Sequence, residues 1–93
     1  MPVDDTYNYL KFLSDRAHKA NLGIGLKNSP NMIQKKPDVV KMHDFVVIEE
    51  CGAYNECGDY KPFVDAGKAA WQVEYERKIS CTMPGFFVLG YSR

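Results

Sequence analysis

A run of four apolar residues at positions 45–48 passes directly into Glu49 and Glu50 and then into Cys51. A continuous apolar run of this kind predicts a strand that is buried on both faces, as in the parallel sheets of α/β proteins. Such sheets place their chemistry at the carboxyl ends of the strands. The segment therefore indicates an α/β fold and makes the first acid after the strand, Glu49, a candidate for hydrolytic chemistry.

The 93 residues suffice for one small domain, residues 1–93, but fall far short of the roughly 250 residues of a closed eightfold βα barrel. Twelve basic residues balance twelve acidic ones, so we expect neither a nucleic-acid partner nor a polybasic membrane patch. No apolar run approaches the roughly 20 residues of a membrane-spanning helix, and residues 1–5 contain no apolar core of a signal peptide.

The first periodic segment is helical. Apolar residues recur at helical spacing through about Ala20, and Asp4, Asp5 and Thr6 are candidates for the N-cap. Asn21 follows the periodic segment and is suited to the left-handed conformation that ends a helix.

Strands and short helical segments then alternate. Strands are predicted at residues 22–28, 44–50 and 71–75, and an apolar tail follows at residues 86–89. Pro30 and Pro62 predict helix starts, Pro37 an interruption and Gly67 a stop. This order is typical of right-handed βαβ units in a parallel sheet. Because so few strands cannot close a barrel, the chain is either a small open sheet or a βαβαβ portion of a larger barrel.

Short motifs along the chain add information beyond periodicity. They are Leu-Lys-Phe-Leu-Ser-Asp-Arg-Ala-His-Lys at 10–19, Leu-Gly-Ile-Gly-Leu-Lys-Asn at 22–28, the acidic strand segment at 44–51, Tyr-Asn-Glu-Cys at 54–57, Pro-Phe-Val-Asp-Ala-Gly-Lys at 62–68 and Val-Glu-Tyr at 73–75. Each motif is ordinary alone. In this order and spacing they resemble glycoside hydrolase family 114 over most of residues 5–75, and we expect the resemblance to end after Tyr75.

The resemblance implies a TIM barrel, of which this chain would be a part, and a secreted enzyme that needs no cofactor. Family members are described as endo-α-1,4-polygalactosaminidases or α-galactosidases, which implies a polysaccharide substrate that contains galactosamine or galactose. The implied mechanism uses two carboxylates, and the family's Glu maps onto Glu49. We expect Glu49 to act as general acid and base with a raised pKa, with a nucleophilic role as the alternative. The partner Asp belongs to a motif that residues 1–6 do not match.

Strand alternation predicts which side chains accompany Glu49. If Lys27 faces the barrel lumen, and Gln72 and Glu74 face it on the third strand, then Lys27, Glu49 and Glu74 converge on one rim. A lysine there would hold carboxylates ionised or bind a sugar hydroxyl, whereas the alternative is a structural ion cluster. Asn28 and Tyr75 are further candidates for hydrogen bonds to sugar.

The cysteines carry a second signal. Cys51 and Cys57 enclose a loop of five residues, short enough for a local disulfide beside Glu49, and the family shows the same paired spacing. Cys81 is left as an odd thiol. A zinc site built from these cysteines with His18 or His43 fails the usual paired-ligand spacing, so we expect no metal and assign both histidines to the surface or to helix caps.

Two functions remain open on this evidence. One is a glycoside hydrolase, or a fragment of one, and the other is a non-catalytic carbohydrate-binding module that keeps Lys27, Asn28 and Glu74. Trp71 and the tyrosines could stack on sugar, although most aromatic residues at such spacing belong to the core and we favour the core for Trp71. A partial barrel would expose apolar edges, so we expect the isolated chain to be weakly stable or oligomeric.

Overall fold

A four-stranded parallel sheet organises the computed structural model, which describes residues 2–75 and 84–89. The strands lie in chain order, and each neighbouring pair is parallel. They are β1 (Gly25–Lys27), β2 (Phe45–Glu49), β3 (Ala69–Val73) and β4 (Phe86–Leu89). The predicted α/β fold with a parallel sheet is confirmed, and the apolar tail adds a fourth strand.

Helices connect the strands at the positions that the prolines predict. The helices are α1 (Val3–Lys19), α2 (Pro30–Lys35), α3 (Val39–Met42) and α4 (Lys61–Asp65), with a 3-10 turn at Cys57–Tyr60. Pro30 and Pro62 lie in the first turns of their helices, where a missing N–H costs nothing. Among the described helices, none is both long and apolar enough to cross a membrane.

The first helix begins earlier than predicted. Pro2 holds the N-cap position, so Asp4 and Asp5 lie within the first turn and Thr6 lies beyond it. The N-cap prediction is therefore wrong, although both carboxylates are placed favourably for the helix dipole. Asn21 adopts φ 61° after the helix, as predicted.

The hydrophobic core lies between one face of the sheet and the helices. Val46, Ile48 and Ala70 are fully buried on that face, and Phe63 from α4 is fully buried against the same cluster. Burial of a side chain of this kind stabilises the fold by about 1.5–3 kcal/mol. Alternate residues of the strands therefore fix which face of the sheet meets the helices.

The opposite face carries no helical layer within residues 2–75 and 84–89. A Cβ on Gly25 would lie 2.1 Å from Cε2 of Phe45, so glycine is what allows that ring to lie across β1. Trp71 stacks on Phe87 with ring centroids 4.8 Å apart, and Phe87 remains 53% exposed. A barrel would enclose this face as its lumen.

Candidate functional site

Glu49 is the last residue of β2, the strand that pairs with β1. Lys27 ends β1 opposite Val47, so Lys27 and Glu49 point to the same face of the sheet. The Lys27 Nζ atom lies 2.6 Å from Oε1 of Glu49. The predicted approach of these two residues is present in the structure.

Tyr75 and Asn28 complete the surroundings of Glu49. The Tyr75 hydroxyl donates to Oε2 of Glu49 at 2.5 Å. The Asn28 side-chain oxygen accepts from the Glu49 backbone N–H at 2.8 Å, and the Asn28 N–H donates to the Val47 carbonyl at 2.9 Å. Asn28 thus extends the β1–β2 ladder and fixes the strand end. We refer to Lys27, Asn28, Glu49 and Tyr75 as the rim.

The charge state of Glu49 differs from the prediction. The hydrogen bond from Lys27, followed by that from Tyr75, holds the pKa of Glu49 below its ordinary value and outweighs the desolvation that would raise it. The hydrogen bond between Tyr75 and Glu49 also raises the pKa of the Tyr75 phenol. The expected raised pKa is therefore wrong for this chain, because two donors face the carboxylate at an open strand end. Glu49 is ionised at neutral pH.

Glu74 does not belong to the rim. Glu49 pairs with Val73, and the neighbouring Gln72 is fully buried on the helix-covered face. Glu74 is only 2% exposed, and its Oε2 accepts from the Gly52 N–H at 2.8 Å and from the Gln72 side-chain amide at 2.7 Å. The predicted convergence of Lys27, Glu49 and Glu74 is wrong, and so is the inward direction of Gln72.

The segment after Glu49 forms a compact loop, residues 50–57, here called the rim loop. Cys51 and Cys57 are joined by a disulfide with a Cα–Cα distance of 4.7 Å. The Glu74 carboxylate and the two sulfur atoms lie within 4.8 Å of one another. The disulfide leaves no thiolate there to ligate a metal. Cys81 lies outside the described residues.

The histidines lie away from the rim. His18 Nε2 lies 2.9 Å from Oδ2 of Asp44, which immediately precedes β2 and therefore lies at the opposite end of the sheet. His43 is 1% exposed, and its Nδ1–H donates to the Val39 carbonyl at 2.8 Å. His43 therefore caps α3 from a buried position.

Two aromatic residues that the sequence offered for sugar stacking, Trp71 and Tyr54, lie outside the four residues of the rim. Trp71 shares the face of Val47 and Glu49, because β3 pairs with β2 in the register Val47 to Trp71. Tyr54 lies in the rim loop and is 67% exposed. The Lys27 side chain is 62% exposed and Tyr75 is 47% exposed, so the rim is an open surface. The sequence places Tyr54 within the loop between Cys51 and Cys57, but only the fold shows that its side chain is exposed.

Comparison with known proteins gives the family and the type of barrel. A family model described as glycoside-hydrolase family GH114 matches residues 2–85, so the likeness extends past Tyr75, contrary to expectation. No curated protein sequence matches the chain significantly. The crystal structure of Aspergillus fumigatus Ega3 in complex with galactosamine is similar, with a TM-score of 0.85 and 28% identity.

That similarity covers 98% of this chain and 42% of the Ega3 chain, so the chain spans less than half the length of this neighbour. The four parallel strands accordingly correspond to part of a TIM barrel. Because the GH114 family model matches residues 2–85 of 93, the chain belongs to glycoside-hydrolase family GH114.

Proposed function

We propose that this chain supplies the Glu49 half of the active site of a glycoside hydrolase that cleaves galactosamine-containing polysaccharide. The observation that carries the proposal is the position of Glu49 at the carboxyl end of β2, bonded to Lys27 and Tyr75 in a GH114 fold. The similarity to Ega3, which was crystallised with galactosamine, supports the choice of sugar. In this proposal residues 1–93 form one piece of the barrel domain.

The chemistry of glycoside hydrolysis requires two carboxyl groups, about 5–5.5 Å apart in retaining enzymes and about 6.5–9.5 Å apart in inverting ones. Ionised Glu49 is ready to act as nucleophile or base. To act as the acid that protonates the leaving oxygen, it needs a pKa raised by a nearby negative charge. Residues 1–6 do not match the motif that carries the partner Asp in the family. We therefore propose that a second carboxylate from a segment with that motif determines whether Glu49 acts as acid or as nucleophile.

Substrate contacts are proposed for the remaining rim residues. The Lys27 ammonium and the Tyr75 phenol both reach the Glu49 carboxylate and can donate to sugar hydroxyls from the same place. Asn28 uses its side-chain oxygen on the Glu49 backbone, and its NH₂ group, which donates to the Glu49 carboxylate, has a second N–H that can donate to sugar. Cleavage of α-galactosidic linkages to neutral galactose is the second substrate class in this proposal.

An extracellular location is part of the same proposal. Disulfides persist in oxidising compartments and are rare in the cytosol. The Cys51–Cys57 bridge in the rim loop therefore supports a secreted enzyme.

Chemical rescue tests the hydrolytic function. The chain and its Glu49→Gln variant are incubated with a de-N-acetylated α-1,4-galactosamine polymer, with and without formate, which offers a small carboxylate in place of the second one. When both proteins are assayed with formate, we expect the unsubstituted chain to release reducing ends about 100-fold faster than Glu49→Gln, since acid–base catalysis contributes about 10²–10⁴-fold. Equal rates for the two proteins would contradict the proposed role of Glu49.

A carbohydrate-binding module is the second candidate. The open rim favours it, because an open surface binds a polymer without excluding water from a reacting bond. Binding of the polymer without cleavage in formate, by both the chain and Glu49→Gln, would support this candidate and contradict hydrolysis.

A further inference from the structure

We propose that Tyr54 is a sugar-stacking platform, whose ring receives the C–H face of a pyranose unit next to the unit held at Glu49. The inference rests on the proposed function, since it names a further residue for the same polysaccharide. It follows from three observations on the rim loop, which concern the exposure of Tyr54, its position and the rigidity of its support.

Exposure is the first observation. Tyr54 is 67% exposed, more than any other large hydrophobic residue described, and Tyr75 of the rim is 47% exposed. Aromatic side chains bury large areas when they find a partner and usually do so within the fold. A tyrosine held out in solvent on the loop that follows a carboxylate at a strand end therefore suits a ligand surface.

Position is the second observation. Glu50 adopts φ 60° and turns the chain immediately after β2. The Tyr54 N–H donates to the Glu50 carbonyl at 3.2 Å, which closes one helical turn from Glu50 to Tyr54. Tyr54 therefore lies one turn beyond the strand end that carries Glu49. One helical turn rises about 5.4 Å, so we place the adjacent sugar of the polymer chain at Tyr54.

Rigidity is the third observation. The rim loop is closed by the Cys51–Cys57 disulfide and by the Glu56 N–H, which donates to the Cys51 carbonyl at 2.8 Å. The buried Glu74 carboxylate holds the loop from below through the Gly52 N–H at 2.8 Å. A support fixed before the ligand arrives lowers the entropic cost of binding. Glu74 is thus a positioning residue for the platform.

Binding measured without turnover tests the platform. In the Glu49→Gln background, the affinity for a soluble α-1,4-linked galactosamine oligomer is measured by calorimetry, with Tyr54→Ala, Tyr54→Phe and Tyr9→Ala as second substitutions. Tyr9 is the matched control, because it is 56% exposed and lies on α1. We expect Tyr54→Ala to weaken binding about tenfold, with Tyr54→Phe and Tyr9→Ala within about twofold.

A Tyr54→Ala affinity within about twofold of the parent would overturn the platform, as would a parent that does not bind the oligomer. The support is tested separately with Cys51→Ala/Cys57→Ala, which keeps the tyrosine. A loss of affinity with faster amide exchange at Gly52 is expected, and unchanged affinity would contradict the need for a rigid loop. Equal cleavage of the polymer by Glu49→Gln and by the unsubstituted chain would instead reject the hydrolytic proposal. The effect of Tyr54→Ala on binding would still stand in that case.

Discussion

Lys27 and Glu49 meet across the last residues of two adjacent strands, with Nζ 2.6 Å from Oε1. The parallel register sets Lys27 opposite Val47 and so places both side chains on the uncovered face. A slip of one residue would send one of them into the helix-covered core. The contact is thus a consequence of sheet register, and it is the largest cause of the lowered Glu49 pKa.

The pKa of Glu49 should respond to its donors in a fixed order. Lys27→Met should raise the Glu49 pKa more than Tyr75→Phe does, because the lysine contact is the larger cause of its lowering. NMR titration of the Glu49 side-chain carboxyl carbon measures both shifts. Lys11→Met, which removes the exposed Lys11–Asp15 pair on α1, is the matched control. An unchanged Glu49 titration in Lys27→Met would contradict the assigned electrostatics.

Glu74 should matter for stability. Glu74→Ala leaves the Gly52 N–H and the Gln72 amide without this acceptor, so we expect the free energy of unfolding to fall by about 2 kcal/mol or more. Glu56→Ala, an exposed carboxylate on the same loop, should change stability by less than about 0.5 kcal/mol. Urea unfolding measures both. Full stability in Glu74→Ala would show that the buried hydrogen bonds carry little of the rim-loop structure.

Asp44 should stabilise the fold in a defined range of pH. Its pKa is lowered by the hydrogen bond from His18 and then by that from the Ile24 N–H. A carboxyl group whose pKa is lowered in the folded state stabilises the protein fully when the pH is above its ordinary pKa of 3.8. This contribution is lost as the pH falls through the lowered pKa.

Thermal melts from about pH 6 down to about pH 2 should therefore show a shallower acid loss in Asp44→Asn than in the parent chain. Asp15→Asn, which removes an exposed carboxylate on α1, serves as the control and should follow the parent. Parallel acid curves for Asp44→Asn and the parent would count against this ion pair.

Tyr60 should limit stability at high pH. Burial, followed by the charges of Glu56 and Asp59, raises the Tyr60 pKa from 10.0 to about 12. A group whose folded pKa is raised stabilises the fold fully below pH 10.0, and this contribution is lost as the pH rises toward about 12. Urea unfolding across that range should show a flatter pH dependence in Tyr60→Phe than in Tyr9→Phe. If the free energy of unfolding of both variants fell in parallel with rising pH, the raised pKa of Tyr60 would be contradicted.

Local signals predicted the elements well, whereas contacts between strands were harder to predict. Pro30, Pro62 and Gly67 mark helix boundaries by backbone chemistry that each residue carries alone. The facing of Gln72 and Glu74 depends on how β3 pairs with β2, and a single strand does not contain that information. The sign of the Glu49 pKa shift likewise depends on two donors that only the fold brings to its carboxylate.

Sugar binding followed at Glu49 itself tests the central claim most directly. A galactosamine oligomer is titrated into isotope-labelled chain, and NMR follows the Glu49 carboxyl carbon together with the Lys27 and Tyr75 side chains. The account predicts saturable shifts at all three residues. Shifts confined to the His18–Asp44 end of the sheet, or a spectrum that the oligomer leaves unchanged, would contradict it.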